Sequence, residues 1–395
     1  MSFKRAIALF LLTIAFVVVG ACRKKQADTP APAPVTTAPA TASPEQFQHA
    51  EGALTLGGQT KFFKGSIGST AGLQMKLMRD GDKLKGTYSY QKVGTKIDLK
   101  GTVDKDGNIT LEEYDPAGKP TGLFKGIWKT ESDNGLISIA GNWSKPGGEK
   151  KTAFSVHEEP IEFTIGAEFV GKRIKETNKK LRYEVDAEYP QVQVAATLDT
   201  RFDKFNQGAR NLVVRKVAAF KADMASRAAE AEPSPEPDTT TPGSDIGVGY
   251  TIKLARDDLI SILFDIGGYS SGAAHPNSYT DVLNYDVKTG KILKLADVFK
   301  PGTRYLQALS AYCIKELKKQ SKVQGSSLPD DMIQSGAGPK VNNYKSWVIT
   351  KKGLEITFDS YQVGPYAAGP QSVLVPYSEL KELINPDGLL GVFAK

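Results

Sequence analysis

Leu84-Lys85-Gly86-Thr87-Tyr88-Ser89-Tyr90 alternates apolar and polar residues after a Lys-Gly pair, and the same phrase returns as Leu99-Lys100-Gly101-Thr102. It also stands at Phe63-Lys64-Gly65-Ser66 and Phe124-Lys125-Gly126-Ile127, with a degenerate copy at Ile139-Ala140-Gly141-Asn142. A period of two is the strand signature. Turn signals at Asp80-Gly81-Asp82, Asp106-Gly107-Asn108 and Asp133-Asn134-Gly135 break the run at roughly ten-residue intervals, which predicts an all-β meander or small barrel over residues 51–158. The repeated glycine is expected to mark a bend or bulge at each strand start. Asp104-Lys105-Asp106-Gly107-Asn108 has the opening of a calcium loop, but the glycine at position six and glutamate at position twelve do not fit, so it reads as a hairpin turn. Trp128, Trp143, Tyr88 and Tyr90 either fill the core or line a sugar-binding face.

Working outward toward the N-terminus, the tract 23–50 is rich in Pro, Ala and Thr and nearly free of large apolar residues, so it cannot bury enough surface to order itself. It is expected to be a disordered, extended tether. Before it, Lys4 and Arg5 precede an apolar run from Ala6 to Val19 that is short for a membrane span and suits a signal peptide over 1–21. Val19-Gly20-Ala21-Cys22 resembles the bacterial lipobox, which implies lipidation of Cys22 and anchoring to a membrane of the cell envelope. With Arg23 rather than Asp next, the resemblance favours onward transport to the outer membrane of a two-membrane bacterium. A lipidated Cys22 leaves Cys313 as the other of two cysteines, so no intrachain disulfide is expected.

The net charge is +7 with no dense basic stripe, which argues against a nucleic-acid partner. His49, His157 and His275 are the only histidines and lie far apart, and no C-x-x-C or H-x-x-x-H spacing exists, so neither a metal nor a cofactor is expected.

Residues 160–395 read as an α+β domain with an antiparallel sheet and two main helices. Strand patterns occupy Ile161–Ile165, Tyr183–Ala187, 246–256, 259–266, Tyr279–Val287, 345–350, 354–359 and 371–376. Apolar residues at Leu198, Phe202, Phe205, Ala209, Leu212, Val213, Phe220 and Met224 follow helical spacing, as do Leu306, Leu309, Cys313 and Leu317 within 304–319. The acidic, proline-rich tract 230–245 is expected to be a mobile insertion.

Asn284-Tyr285-Asp286-Val287-Lys288-Thr289-Gly290-Lys291, Leu295-Ala296-Asp297-Val298-Phe299-Lys300-Pro301-Gly302, the run Phe358 to Pro370 and Val375-Pro376-Tyr377-Ser378-Glu379-Leu380 closely resemble an extracellular domain of unknown function. That domain forms the outer part of the anti-sigma factor RsiV and accompanies the catalytic domain of the peptidoglycan deacetylase PdaC. Glu188-Tyr189-Pro190-Gln191 and the first long helix look like its usual N-terminal companion. The RsiV resemblance implies a non-enzymatic binding module for a protein such as lysozyme, or for peptidoglycan fragments. The candidate contact residues are Tyr361, Gly364, Pro365, Tyr366 and Gly369 in a stiff amphipathic loop, with His275 as a further candidate. The alternative is a serine hydrolase acting on cell-wall or ester substrates: Gly268-Tyr269-Ser270-Ser271-Gly272 matches G-x-S-x-G, with His275 close by as base for Ser270. That elbow needs a helix straight after the serine, whereas Pro276 and Asn277 lead into another strand pattern.

Overall fold

The computed structural model describes residues 60–393, apart from 70, 92–93, 133–134, 195–198, 231–242 and 325–327. The expected signal peptide, Cys22 and the tether lie outside the described residues.

The repeated phrase folds as anticipated into antiparallel strands, and these close on themselves. β1 (Thr60–Ile67), β2 (Ala71–Asp80), β3 (Lys83–Tyr90), β4 (Lys96–Val103), β5 (Asn108–Tyr114), β6 (Pro120–Thr130), β7 (Ile137–Ser144) and β8 (Thr152–Glu159) pair each with the next, and β8 returns to β1. Closure removes the unpaired edges that would invite aggregation. Alternate side chains point inward, among them Phe63, Leu73, Met75, Leu99, Leu111, Phe124 and Val156, all at most 3 % exposed. Phe124 meets Tyr88 and Phe154 edge-on with ring centres 5.5 Å and 5.0 Å away, so side chains fill the barrel axis. The core reading holds for Tyr88: its hydroxyl donates to buried Glu113 at 2.5 Å, and Trp143 Nε1 donates to the same carboxylate at 3.1 Å. Both interactions close off a polar group that would otherwise be stranded inside the barrel.

The glycines do not mark strand starts. Gly65, Gly86, Gly101, Gly126 and Gly141 sit within their strands, where a Cβ would fall on a carbonyl oxygen of the neighbouring strand, Ser155, Lys76, Thr110, Ala140 and Lys125 respectively. Tight coiling of the small barrel brings backbones together there, and only glycine leaves room. The register shift in the barrel lies elsewhere, between Glu113 and Tyr114. The calcium-like segment is a turn closed by Asp104, whose side chain accepts from the backbone N–H groups of Asp106 and Asn108 at 2.9 Å and 2.8 Å.

Beyond Pro160 the chain enters a larger sheet of β9 (Ile161–Glu162), β10 (Ala167–Asn178), β11 (Tyr183–Val194), β12 (Ser244–Arg256), β13 (Leu259–Gly268), β14 (Asn277–Asp286) and β15 (Lys291–Ile292). Its order is β10-β11-β12-β13-β14-β15, with β9 beside β12. The pairs are antiparallel except that β12 runs parallel to β11 and β9. The parallel pair follows from α1 (Asp203–Glu230), which carries the chain across one face of the sheet between β11 and β12. Phe205, Ala209, Leu212, Val213 and Met224 form its buried stripe as spaced, joined by Val217. Leu198, the expected helix start, and residues 231–242 of the expected insertion lie outside the described residues; Glu230 closes α1 and Ser244 opens β12.

The other face of this sheet carries α2 (Tyr305–Gln324), α3 (Asp330–Gly336), a three-stranded sheet of β16 (Trp347–Ile349), β17 (Gly353–Phe358) and β18 (Gln371–Pro376), and α4 (Tyr377–Leu380). A buried polar bridge fixes the two sheets together. Ser261 on β13 donates to Asn284 Oδ1 at 2.6 Å, Asn284 Nδ2 donates to the Trp347 carbonyl at 2.8 Å, and the Ile349 N–H donates to Ser261 Oγ at 2.8 Å. Every member is satisfied, so the bridge specifies how the layers meet.

Where barrel and larger sheet meet, Glu159 is 7 % exposed and burial pushes its carboxyl up to about 7, the nearby Lys64 charge only partly opposing this. The unfolded chain therefore loses this proton first, and stability falls as pH rises from the usual carboxylate range through 7, then levels off. Glu159→Gln is expected to leave the melting midpoint unchanged below pH 4.5 and to add roughly 2–3 kcal/mol at pH 8. Thermal melts across that range check it; equal effects at both ends would contradict the burial argument.

Candidate functional site

The loop after β17 is built to hold one tyrosine outward. Tyr361 has φ +69°, a left-handed conformation that a side chain with a Cβ adopts at a cost of about 1 kcal/mol or more. Its neighbours impose it. The Asp359 carbonyl accepts from the Gln362 N–H at 3.0 Å, while Gln362 Nε2 donates to the carbonyls of Gly336 and Asn343 at 3.0 Å and 2.9 Å. Asp359 is itself tied to β14, accepting from the Thr280 N–H and hydroxyl at 2.9 Å and 2.7 Å. Gly364 is buried against Leu328, where a Cβ would collide with Cδ2, and Gly369 takes φ +66° to leave the Tyr366–Ala368 turn. Gly364 and Gly369 therefore shape the loop, Pro365 is exposed at its bend, and the tyrosines present its surface.

His275, on the β13–β14 connection, meets this loop. Its ring stacks on Tyr366 with centres 3.8 Å apart, and its Nε2 lies 3.2 Å from the Tyr361 hydroxyl. Nδ1 is 2.8 Å from the Pro276 carbonyl, which also accepts from the Tyr366 hydroxyl at 2.6 Å. A carbonyl only accepts, so Nδ1 carries the proton and Nε2 accepts from Tyr361. The three aromatic residues, proposed from separate segments, thus form one cluster at the surface, with Tyr361 55 % exposed.

Beside it lies a trough of 500 Å³ whose lining includes Pro370 at the end of the loop. Gly247, Gly249 and Gly267 leave its floor bare, so a partner can approach the backbone closely. Asp245 and Asp265 bring exposed carboxylates to it, whereas Asp186 is held by Arg173. The sequence did not single out these acids, because they come from strands that only the sheet order makes neighbours.

The G-x-S-x-G segment is not an elbow. β13 ends at Gly268, and Ser270 sits in a turn that leads into β14 with no helix between. Both ring nitrogens of His275 face partners other than Ser270. Among the described residues no group of three His, Cys, Asp or Glu side chains is placed to hold a metal. Cys313 is buried in the core, and burial raises its thiol to about 12, away from reactivity.

Several known proteins are similar to part of this chain. Peptidoglycan-N-acetylmuramic acid deacetylase PdaC of Bacillus subtilis (strain 168) is 30 % identical over 146 residues, 37 % of this chain and 30 % of that protein. Esterase Rv3036c of Mycobacterium tuberculosis is 25 % identical over 135 residues, 34 % of this chain and 55 % of the esterase. The chain thus spans under a third of the deacetylase and about half of the esterase. A crystal structure of a DUF3298 family member from Bacteroides fragilis covers 59 % of this chain and 98 % of its own at 18 % identity, with a TM-score of 0.43. Residues 296–378, from the end of the larger sheet through the Tyr361 loop to α4, match the family model described as Protein of unknown function (DUF3298), and the chain carries that domain in its C-terminal region.

Proposed function

We propose that this chain is a lipid-anchored envelope protein that binds a partner without chemistry, through the face formed by Tyr361, Tyr366 and His275. The observation that carries the reading is the strained, outward Tyr361 beside a stacked His–Tyr pair. Rigid aromatic side chains bind with little loss of side-chain entropy, and backbone strain concentrates where structure serves a ligand. The acids of the adjoining trough favour a basic protein surface, of which lysozyme, suggested by the RsiV resemblance, is the example to test; peptidoglycan fragments are the second candidate.

Retention of lysozyme and of soluble peptidoglycan fragments on the immobilised intact chain tests this. One of them is expected to be retained, and Tyr361→Ala with Tyr366→Ala to weaken it at least tenfold, about 1.4 kcal/mol. Retention of neither, or unchanged retention by the double variant, defeats the proposal. The anchor is tested separately: Cys22→Ala is expected to move the chain from the membrane to the soluble fraction, and a variant that stays membrane-bound removes the lipid reading.

The hydrolase alternative, acting on cell-wall or ester substrates through Ser270 and His275, draws on the G-x-S-x-G pattern and on the likeness to the esterase and the deacetylase. It requires ester turnover by the intact chain that Ser270→Ala abolishes; turnover untouched by that change, or none, dismisses it.

A further inference from the structure

At the seam between barrel and larger sheet, β1, β8, β12 and the β16–β17 hairpin enclose a cavity of 870 Å³ that shares no lining residue with the trough or the aromatic face. Glu159, the last residue of β8, lines it and also borders a smaller cavity of 240 Å³ beside Phe62 and Ile161. Among the described residues its carboxyl makes no hydrogen bond and no ion pair. The cation nearest in charge, Lys64, is engaged elsewhere: its Nζ lies 3.5 Å from the centre of the Tyr250 ring, donates to the Tyr250 carbonyl at 3.3 Å and pairs with Glu188 at 3.8 Å. Arg173 reaches Glu188 from the far side at 3.8 Å.

The remaining charges around the cavity are neutralised in pairs. Glu158 pairs with Lys61 at 2.7 Å, Lys253 with Glu355 at 2.8 Å and Lys351 with Glu162 at 2.5 Å. Lys352, His157 and Tyr250 complete the ionisable lining, His157 lying 3.3 Å from the Ser155 hydroxyl. One desolvated carboxyl is left facing open volume, which is costly unless something donates to it. A cationic ligand would meet Lys64, and an anionic one would meet Glu159 itself. A neutral donor escapes both penalties. Gln91 and Thr251, also in the lining, supply donors for an accompanying carbonyl.

We infer that this cavity is a second binding site, for a neutral ligand bearing a secondary amide whose N–H donates to Glu159. Such an amide comes either from an N-acetylated sugar or from a peptide bond. Because the ionised carboxylate is the better acceptor and Glu159 ionises near neutral pH, binding releases a proton and tightens as pH rises.

Calorimetric titration of the intact chain in detergent with N,N′-diacetylchitobiose, and separately with N-acetyl-alanyl-alanine amide, at pH 6 and pH 8 tests this. At least one probe is expected to bind, about tenfold more tightly at pH 8, as a carboxyl titrating near 7 requires. Glu159→Gln is expected to abolish the pH dependence. Thr251→Trp, an exposed strand position that fills the cavity, is expected to abolish binding. No binding of either probe, or the same pH dependence in Glu159→Gln, overturns the inference. Binding lost in Tyr366→Ala but kept in Thr251→Trp also overturns it, and leaves the aromatic-face proposal standing.

Discussion

Gly101→Ala is expected to destabilise the barrel by about 3 kcal/mol, the upper range for forcing an extra methyl into a packed site. The new Cβ would fall on the Thr110 carbonyl oxygen with Leu111 Cα close behind, and neither is a flexible side chain that can swing away. Relief requires β4 and β5 to separate, and in a closed barrel that displacement propagates to every strand. Gly81→Ala is the matched control. It sits at φ +60° in the β2–β3 turn with nothing within 4 Å, so it is expected to cost only about 1 kcal/mol of backbone strain. Urea unfolding followed by tryptophan fluorescence separates them, since Trp128 and Trp143 report the barrel. Equal losses in the two variants would refute the close-approach explanation for the repeated glycine.

Asn284→Ala is expected to cost the C-terminal domain about 3–4 kcal/mol. Asn284 is 1 % exposed and spans from Ser261 on β13 to the Trp347 carbonyl on β16. Truncation strands that carbonyl, frees the Ser261 hydroxyl and leaves a small cavity, and each loss is worth about 1–3 kcal/mol in a site that water cannot reach. The layer that loosens includes β17 and β18, which hold the Tyr361 loop between them, so partner binding is expected to weaken as well. Chemical denaturation against the exposed Lys291→Ala as control, expected within 0.5 kcal/mol of the parent, reads the first effect. A loss below about 1 kcal/mol would show that the bridge does not hold the layers together.

Much of this architecture was legible because the barrel repeats itself in sequence. Alternation, the repeated phrase and the turn signals made the all-β meander or small barrel legible, while the glycine's role was misread, since close approach between strands is a property of closure that no single strand displays. In the C-terminal domain the strands at 246–256 and 259–266 and the stripe of α2 were readable from spacing. β10 was not: past Phe169 it carries Lys172, Arg173, Lys175 and Glu176, charges that protect a sheet edge and erase the strand signal. The parallel pairing of β11 with β12 was likewise hidden, because an α-helical crossover is long-range information.

The same division holds at the site. Tyr361, Tyr366 and His275 stood out by residue type, and the structure brings them together. Asp245, Asp265 and Glu159 did not stand out, because a carboxylate acquires meaning only from what faces it. Tyr361's left-handed backbone was invisible too, being imposed by Asp359 and Gln362 through contacts with Gly336, Asn343 and Thr280.

Amide hydrogen exchange of the intact chain, with and without the retained partner, tests the binding face most directly. Protection is expected in the segment 269–281 and in the loop 359–370, with barrel strands such as β4 and β5 unchanged. Protection confined to the barrel, or absent from both of those segments at saturating partner, would contradict the assignment of Tyr361, Tyr366 and His275 as the contact surface.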